Sequence, residues 1–172
     1  MVDFNIENFS NALGSRQAFQ KASHFQVTGC GLGADQAMMI KAATFPASTI
    51  GFIEVPFRGR KIKIPGDRTF AEWQISVYQD GDNQTRETFI EWSNEFEQHE
   101  KMGAKDPEKI CTWTIDVLDS KLEVVTDGTI ELVGCFPIEI GPLDFSYESV
   151  DTILQFDVSI GYDYWTSEGT KK

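Results

Sequence analysis

The strongest constraint on the fold is a period-two alternation of apolar and polar residues near the C-terminus, from Thr152 to Trp165. Side chains that alternate in this way lie on opposite faces of an extended strand. One face of this strand is therefore buried and the other is wet, which is typical of an antiparallel sheet. The apolar face carries Leu154, Phe156, Val158, Ile160, Tyr162 and Tyr164, and the wet face carries Gln155, Asp157, Ser159, Gly161 and Asp163.

The same alternation recurs along most of the chain and predicts about seven to nine strands. Three turn signals separate some of them: Pro65-Gly66, Asp119-Ser120 and the hairpin signal Asp127-Gly128. A Gly-rich run at 29–33 predicts a further turn. Besides the C-terminal strand, we predict strands beginning near His24 and spanning Ala37–Ala42, Phe70–Tyr78, Ile110–Leu118, Lys121–Val125 and Thr129–Phe136.

One helix is predicted, over residues 85–99, because Phe89, Trp92 and Phe96 recur at helical spacing. Residues 44–69 contain three prolines, which cannot donate to a central ladder, so this segment is expected to form an extended loop or edge ribbon. Residues 1–22 are polar and are expected to form an N-terminal arm. The prediction is therefore one mainly β domain over 1–172, with two packed antiparallel sheets, as a sandwich or barrel, and one flanking α-helix.

The composition supports a folded domain and limits its partners. Of 172 residues, 41% are hydrophobic, which is enough for a real core, and the net charge is −12. A general binder of the phosphate backbone needs exposed Lys and Arg, so this acidity argues against one. The N-terminus lacks the apolar core of a secretory signal and the sequence has no apolar run of about 18 residues, so we expect cytoplasmic synthesis and no membrane insertion.

The sequence offers no recognisable catalytic, cofactor or metal site. His24 and His99 lie far apart and no combined cluster of His, Cys and carboxylate surrounds either, and neither a nucleophile elbow nor a phosphate-binding loop is present. Three cysteines without C-x-x-C spacing predict reduced thiols rather than a disulfide framework or zinc site. We therefore expect a protein that is not an enzyme and binds no cofactor.

Three clusters of charge are more informative than the total. Within residues 58–68 the bases outnumber the acids five to one, whereas residues 122–170 contain ten acids and no base. The predicted helix carries Glu87, Glu91 and Glu95 at i, i+4 spacing, where like charges cost about 0.2–0.5 kcal/mol per pair. A basic surface and an acidic surface that point in different directions can join copies of one chain into rings or filaments.

The run from Gly59 to Trp73, which reads Gly-Arg-Lys-Ile-Lys-Ile-Pro-Gly-Asp-Arg-Thr-Phe-Ala-Glu-Trp, is the most distinctive in the chain. It resembles the tail tube proteins of contractile-tailed bacteriophages, the myovirus class. The resemblance continues to Gln79-Asp80 and into the helix at Phe89 and Trp92. It returns at 134–137 and at 163–165, and so covers most of the chain after about residue 23.

The resemblance implies hexameric rings, in which each subunit adds strands to one continuous barrel, stacked into a hollow tube inside a contractile sheath. The expected partners are other copies of the chain, the sheath protein, and the baseplate or tube initiator and terminator proteins. Viral DNA would cross the lumen without specific binding. The expected location is the virion, after synthesis in the host cytoplasm. A related architecture is that of the type VI secretion tube protein.

Three groups of residues follow from this resemblance as candidate sites. The basic segment aligns with the family's extended loop, so it is expected to contact acids of neighbouring copies within and between rings, although Asp67 and Arg68 could instead pair with each other. Polar residues of the last strand are expected to face the lumen, and the glutamates of the helix are expected to face the sheath. The candidates are Arg58, Arg60, Lys61, Lys63, Asp67 and Arg68 for contacts between subunits, Gln155, Asp157, Ser159 and Asp163 for the lumen, and Glu87, Glu91 and Glu95 for the sheath.

Two alternatives stay open at this point. The first is the tube protein of a type VI or phage-like contractile injection system, which would share the fold. The second, from a different class, is a monomeric β-barrel for a small ligand, which predicts a closed apolar cavity and a monomeric mass.

Overall fold

The computed structural model describes residues 20–29, 31–96 and 110–168. Within these ranges, strands dominate, and two helical segments interrupt them. The elements are β1 (Phe25–Thr28), α1 (Ala34–Ala37), β2 (Ile40–Ala43), β3 (Ser48–Phe57), β4 (Arg60–Phe70), β5 (Trp73–Tyr78), α2 (Gln84–Phe96), β6 (Cys111–Leu118), β7 (Val124–Ile140), β8 (Gln155–Gly161) and β9 (Tyr164–Ser167).

Seven of these strands form two antiparallel sheets that share the long strand β7. Sheet 1 has the strand order β1-β6-β7-β9, and sheet 2 has the order β7-β8-β5-β2. Strand β7 pairs with β9 through residues 130–133 and with β8 through residues 136–140. Gly134 lies between the two paired segments with a φ of +79°, a backbone conformation that glycine adopts at little cost.

The core lies between the two sheets and is built from the apolar positions of the alternating strands. On β5 and β8 these positions are buried while their neighbours point outward. Trp113 of β6 and Phe89 of α2 fill the middle of the core. Fully burying each large apolar side chain contributes about 1.5–3 kcal/mol. The fully buried residues of β5 and β8 are Trp73, Ile75, Val77, Phe156, Val158 and Ile160.

Helix α2 closes this core on one side. Its first turn is held by Asp80, whose Oδ2 accepts hydrogen bonds from the backbone N–H and the hydroxyl of Thr85, both at 2.9 Å. Phe89 and Trp92 point inward and are buried, while Arg86 donates to the backbone oxygen of Gly141 at 2.8 Å. The helix is thus fixed to the sheets by an apolar face and by one charge-assisted hydrogen bond.

Strands β3 and β4 form a separate two-stranded hairpin. Its turn is Arg58-Gly59, where both residues have positive φ (46° and 79°), as a two-residue type I′ turn requires. At its base, Phe70 packs against Tyr162 with ring centroids 5.9 Å apart. Trp73 Nε1 donates to the backbone oxygen of Thr44 at 2.6 Å, which fixes the chain that leads into the hairpin.

The predicted fold class, mainly β with two packed antiparallel sheets and a flanking helix, is confirmed. The described part of the helix ends at Phe96, and positions 97–99 of the predicted span lie outside the described residues. Most of the predicted N-terminal arm, residues 1–19, also lies outside them. The predicted strand Ala37–Ala42 begins later, at Ile40, because residues 34–37 form the short helix α1.

Three turn or strand predictions are wrong. Asp127-Gly128 is not a hairpin turn but an irregularity inside β7, where Asp127 has a φ of 63°. Pro65-Gly66 lies inside β4, since the hairpin already turns at Arg58-Gly59. The last strand is broken at 162–163 into β8 and β9, so Tyr164 is exposed although it was expected on the apolar face, and Trp165 packs against the core instead.

The cysteines only partly follow the expectation of reduced thiols. Cys135 is a free, fully buried thiol, whereas Cys111 is disulfide-bonded, so the expectation is wrong at that position. No helix in the described ranges is both long enough and apolar enough to span a membrane.

Candidate functional site

The β3–β4 hairpin is the most exposed element in the described part of the chain, and one of its faces is apolar. Residues directly opposite each other in an antiparallel pair lie on the same face. The pairs Ile53–Ile64, Val55–Ile62 and Phe57–Arg60 therefore share a face. The exposed fractions of the five apolar side chains on this face run from 41% for Val55 to 61% for Ile53. Such a contiguous apolar surface is typical of a contact with another molecule.

The opposite face of the hairpin carries most of its positive charge. Lys63 lies opposite Glu54 with its Nζ 4.3 Å from the ring centroid of Phe52, and Arg68 lies opposite Ile50. Lys61 Nζ contacts Glu54 Oε2 at 2.6 Å, and this pair is exposed enough to contribute only about 0–1 kcal/mol. The hairpin is therefore amphipathic: one face is apolar, and the other, the basic face, combines these bases with the exposed side chains of Ile50 and Phe52.

The structure brings together the residues predicted to contact other subunits, but it divides them between surfaces. All six are exposed: Arg58 is in the turn, Arg60 is on the apolar face, and Lys61, Lys63 and Arg68 are on the basic face. Asp67 precedes Arg68 in β4 at a bulge. In the described ranges no ion pair joins Asp67 to Arg68.

The apolar face of the hairpin is a candidate functional surface that the charge pattern did not reveal. The prolines and bases of residues 44–69 predicted an extended basic loop or ribbon. The signal was nevertheless present, because Ile62 and Ile64 alternate with Lys61 and Lys63. The pairing of the two strands could not be derived from this alternation alone. The missed residues are Ile53, Val55, Phe57, Ile62 and Ile64.

Three of the four residues predicted to face the lumen share the outer face of sheet 2. Gln155, Asp157 and Ser159 alternate with the buried residues of β8. Ser76 Oγ donates to Asp157 Oδ1 at 2.5 Å, and Lys41 Nζ donates to Gln155 Oε1 at 2.6 Å. This outer face also includes Gln74 and Glu139, both opposite Ser159, so polar side chains of three neighbouring strands meet in its middle.

Asp163, the fourth candidate, is not in this row. It lies in the break between β8 and β9, where its backbone N–H donates to the backbone oxygen of Val133 at 3.0 Å. A Cβ added to Gly134 would lie 2.3 Å from Oδ2 of Asp163. Asp163 therefore sits against the bend of β7, apart from the other three candidates.

The three glutamates of α2 are exposed and lie opposite the buried residues of the helix. Glu87, Glu91 and Glu95 follow one another at i, i+4 spacing, while Phe89 and Trp92 contact the core. Asn83 Nδ2 is 3.5 Å from Glu87 Oε1. The helix thus presents an acidic stripe on the outside of the subunit.

Catalytic chemistry finds no support in the described ranges. There, no three side chains of His, Cys, Asp or Glu group as a metal site would require. Burial raises the pKa of the Cys135 thiol to about 12, which makes it a poor nucleophile. Burial also raises the pKa of Tyr162. The features that remain are surfaces: the amphipathic hairpin, the polar face of sheet 2 and the acidic stripe of α2.

Comparison with known proteins finds relatives along nearly the whole chain. Residues 2–168 match the family model described as phage tail tube protein. The tail tube protein gp19 of Enterobacteria phage T4 is 31% identical over 149 residues, which cover 86% of this chain and 91% of that protein. The tail tube protein of Serratia phage KSP90 is 24% identical over 168 residues, which cover 91% and 93% of the two chains.

Solved structures show the same fold. A chain from the sheath/tube terminator of the extracellular contractile injection system PVC has a TM-score of 0.64 at 13% identity, covering 98% of this chain and 99% of its own length. A chain from the PVC sheath-tube complex has a TM-score of 0.62 at 13% identity, covering 96% and 99%. The resemblance to tail tube proteins is confirmed: this chain belongs to the phage tail tube protein family, whose members are structural components of the virion and not enzymes.

Proposed function

We propose that six copies of this chain form a ring and that the rings stack into a hollow tail tube inside a contractile sheath. Viral DNA passes along the lumen without being held. The tube starts on a baseplate or initiator protein and ends at a terminator protein. Chains with this fold occur in a solved sheath-tube complex, a sheath/tube terminator and a baseplate, which supports such partners.

The observation that carries the proposal is the exposed apolar face of the β3–β4 hairpin. A hairpin that pairs with no other strand in the described ranges gains little stability by itself. Covering five exposed apolar side chains with another copy of the chain removes them from water, and each buried methylene is worth about 0.8 kcal/mol. The bases of the hairpin add electrostatic attraction, because the rest of the chain is strongly acidic.

The polar outer face of sheet 2 suits a water-filled channel. A closed barrel of many strands has a polar interior that alternates with the buried side of each strand. Asp157 and Glu139 on this face repel the phosphate backbone, and the base Lys41 is hydrogen-bonded to Gln155. The two carboxylates outnumber the single base on this face, so the wall repels phosphate groups on balance.

The acidic stripe of α2 suits a contact with a basic inner surface of the sheath. Glu87, Glu91 and Glu95 are exposed on the side of the helix away from the core. Like charges at this spacing are tolerated at a small cost in the isolated helix and are relieved when a basic partner binds.

A type VI secretion tube and a monomeric ligand barrel account for these observations less well than a phage tail tube does. The family match and the relative from phage T4 favour a phage tube over a type VI secretion tube. A monomeric ligand barrel would leave the apolar face of the hairpin without a role. Moreover, in the described part of the chain the space between the sheets is filled by Trp73, Trp113, Phe89 and Phe156.

The proposal is tested by negative-stain microscopy and sedimentation of the purified protein, with and without an assembly initiator. We expect rings and hollow tubes. Charge reversal by Arg60→Glu together with Lys61→Glu should prevent tube formation while leaving the fold intact, because both side chains are exposed on the hairpin.

The matched control is Lys21→Glu, which reverses one exposed base outside the hairpin and should leave assembly unchanged. A wild-type protein that stays monomeric even with initiator would contradict the proposal. Normal tubes from the Arg60→Glu, Lys61→Glu variant would show that these bases do not contact other copies.

A further inference from the structure

The segment between β7 and β8 forms the second unusual surface of the subunit. Residues 141–154 lie outside the strands and expose four large apolar side chains, with Tyr147 completely exposed and Phe145 80% exposed. Between this segment and sheet 2 lies an open groove of about 960 Å³. The groove is lined by apolar and acidic side chains, among them Tyr78, Asp144, Phe145, Asp151, Ile153 and Asp157.

The charge of this groove is opposite to that of the hairpin. Residues 139–157 contain five acids and no base, and Lys41 contributes one base to the lining. Residues 48–70 of the hairpin contain five bases and two acids. Each surface also exposes large apolar side chains, so the two are complementary in charge and in polarity.

The hairpin of one chain does not fill its own groove. Phe57 at its tip is 60% exposed, and Ile153 in the groove is 65% exposed. Ten extended residues such as those of β3 span about 33 Å, and the hairpin pairs with no other strand in the described ranges, so its tip is available to a second copy.

We propose that the tip of the β3–β4 hairpin of one copy inserts into the groove under residues 141–154 of the next copy. Phe57 packs against Phe145 and Ile153, and Arg58 and Arg60 pair with Asp144 and Asp151. The contact joins two different surfaces, so it is heterologous and can repeat without limit. The inference rests on the proposed tube, and it adds which segment receives the hairpin.

The contact also places the joint between copies at one end of the polar face of sheet 2. Tyr78 and Gln155, which are paired across β5 and β8, line both that face and the groove. The groove therefore adjoins the face that is proposed to line the lumen.

Disulfide cross-linking within assembled tubes tests the inference. The double variant Phe57→Cys, Ile153→Cys should give a ladder of covalent oligomers on a denaturing gel after mild oxidation, because every copy is linked to the next. The matched control Phe57→Cys, Glu91→Cys pairs the tip with the exposed helix and should give no ladder. Buried Cys135 should stay unreacted in both.

The outcomes separate this inference from the proposed tube. Tubes that form but give no ladder would overturn the groove contact and leave the tube intact. A wild-type protein that never forms rings or tubes would overturn both. A ladder that is equally strong in the Glu91→Cys control would also overturn the contact, because the linking would then be non-specific.

A charge exchange gives a second measurement that does not depend on the cysteine variants. Arg60→Glu should raise the protein concentration needed for tube assembly by about tenfold or more, as expected for loss of a close interfacial charge pair. Adding Asp151→Arg should restore assembly to within about threefold of wild type, whereas adding Glu91→Arg should not. Absence of rescue by Asp151→Arg would overturn the proposed pairing.

Discussion

Trp73 of β5 and Trp113 of β6 meet edge to face in the core, with ring centroids 5.6 Å apart and ring planes at 73°. These residues belong to different sheets, so this contact joins sheet 2 to sheet 1. Trp113 also stacks on Phe89 and Trp92 of α2. One indole therefore links both sheets and the helix.

Replacing Trp113 by Ala should destabilise the isolated subunit by about 3–5 kcal/mol, because it leaves a large cavity among rigid aromatic rings. The control Met38→Ala removes a side chain that is 80% exposed and should change stability by less than about 0.5 kcal/mol. The measurement is urea unfolding of dilute protein. Similar midpoints for the two variants would show that Trp113 does not hold the layers together.

Gly134→Ala should destabilise the subunit by about 1–3 kcal/mol, since the new Cβ would collide with Asp163 and the positive φ disfavours alanine. Removing the obstacle with Asp163→Ala in the same chain should recover part of the loss. Gly81→Ala, where a Cβ meets nothing within 4 Å, is the control. Thermal unfolding measures all three, and an unaffected Gly134→Ala would contradict the tight bend.

The thiol of Cys135 should resist alkylation at pH 8 in the folded protein. Its pKa is raised from 9.0 to about 12 by burial, so almost no thiolate is present at that pH. As pH rises above about 9, the Cys135 thiol ionises in the unfolded chain before it ionises in the folded protein. Ionisation of this thiol therefore lowers the free energy of unfolding in alkali. Peptide mapping after iodoacetamide treatment, with and without denaturant, measures the labelling. Fast labelling of native protein at Cys135 would contradict its burial.

Glu91→Lys combined with Glu95→Lys should leave tubes intact and abolish recruitment of the sheath protein, because the acidic stripe becomes basic. Co-sedimentation of purified tubes with sheath protein at low and high salt measures this. Glu72→Lys, an exposed acid outside the helix, serves as the control. Normal recruitment by the helix variant would place the sheath contact elsewhere on the subunit.

Adding lysines to the proposed channel wall should make the tube retain DNA. Gln74→Lys and Ser159→Lys place positive charge on opposite strands of the polar face of sheet 2. Short DNA should then be held in tubes, protected from nuclease and released by salt. Gln74→Glu tubes are the control and should retain none. Failure of the lysine tubes to retain DNA would mean that this face does not line the lumen.

The sequence predicts the fold class well because alternation reports burial directly. In β8, the apolar positions Phe156, Val158 and Ile160 are buried as expected, and Gln155 and Asp157 are exposed. The break that follows was not predictable, since Tyr162 and Tyr164 continue the pattern. The break between β8 and β9 lies beside the bend of β7. It depends on how these strands pair, and the residues at the break carry no signal of that pairing.

Local turn signals failed where strand pairing overrides them. Asp127-Gly128 is a strong hairpin signal, yet β6 continues to pair with β7 on both sides of it, so it becomes a bulge. The basic residues of the hairpin were identified from sequence, whereas its apolar face required the register of β3 with β4. The charge of each residue can be read directly from the sequence. The residues that share one face of a hairpin can be identified only when the pairing of its two strands is known.

The isolation of the hairpin has a consequence for when tubes grow. A two-stranded ribbon without further support is only marginally stable in water. Ordering it when a subunit joins the tube costs conformational entropy, which lowers the net free energy of assembly. Growth onto an existing end is then favoured over spontaneous joining of two free subunits, which both lack a rigid hairpin. If the proposed tube forms, we therefore expect subunits to accumulate above the growth threshold without polymerising until an initiator nucleates them.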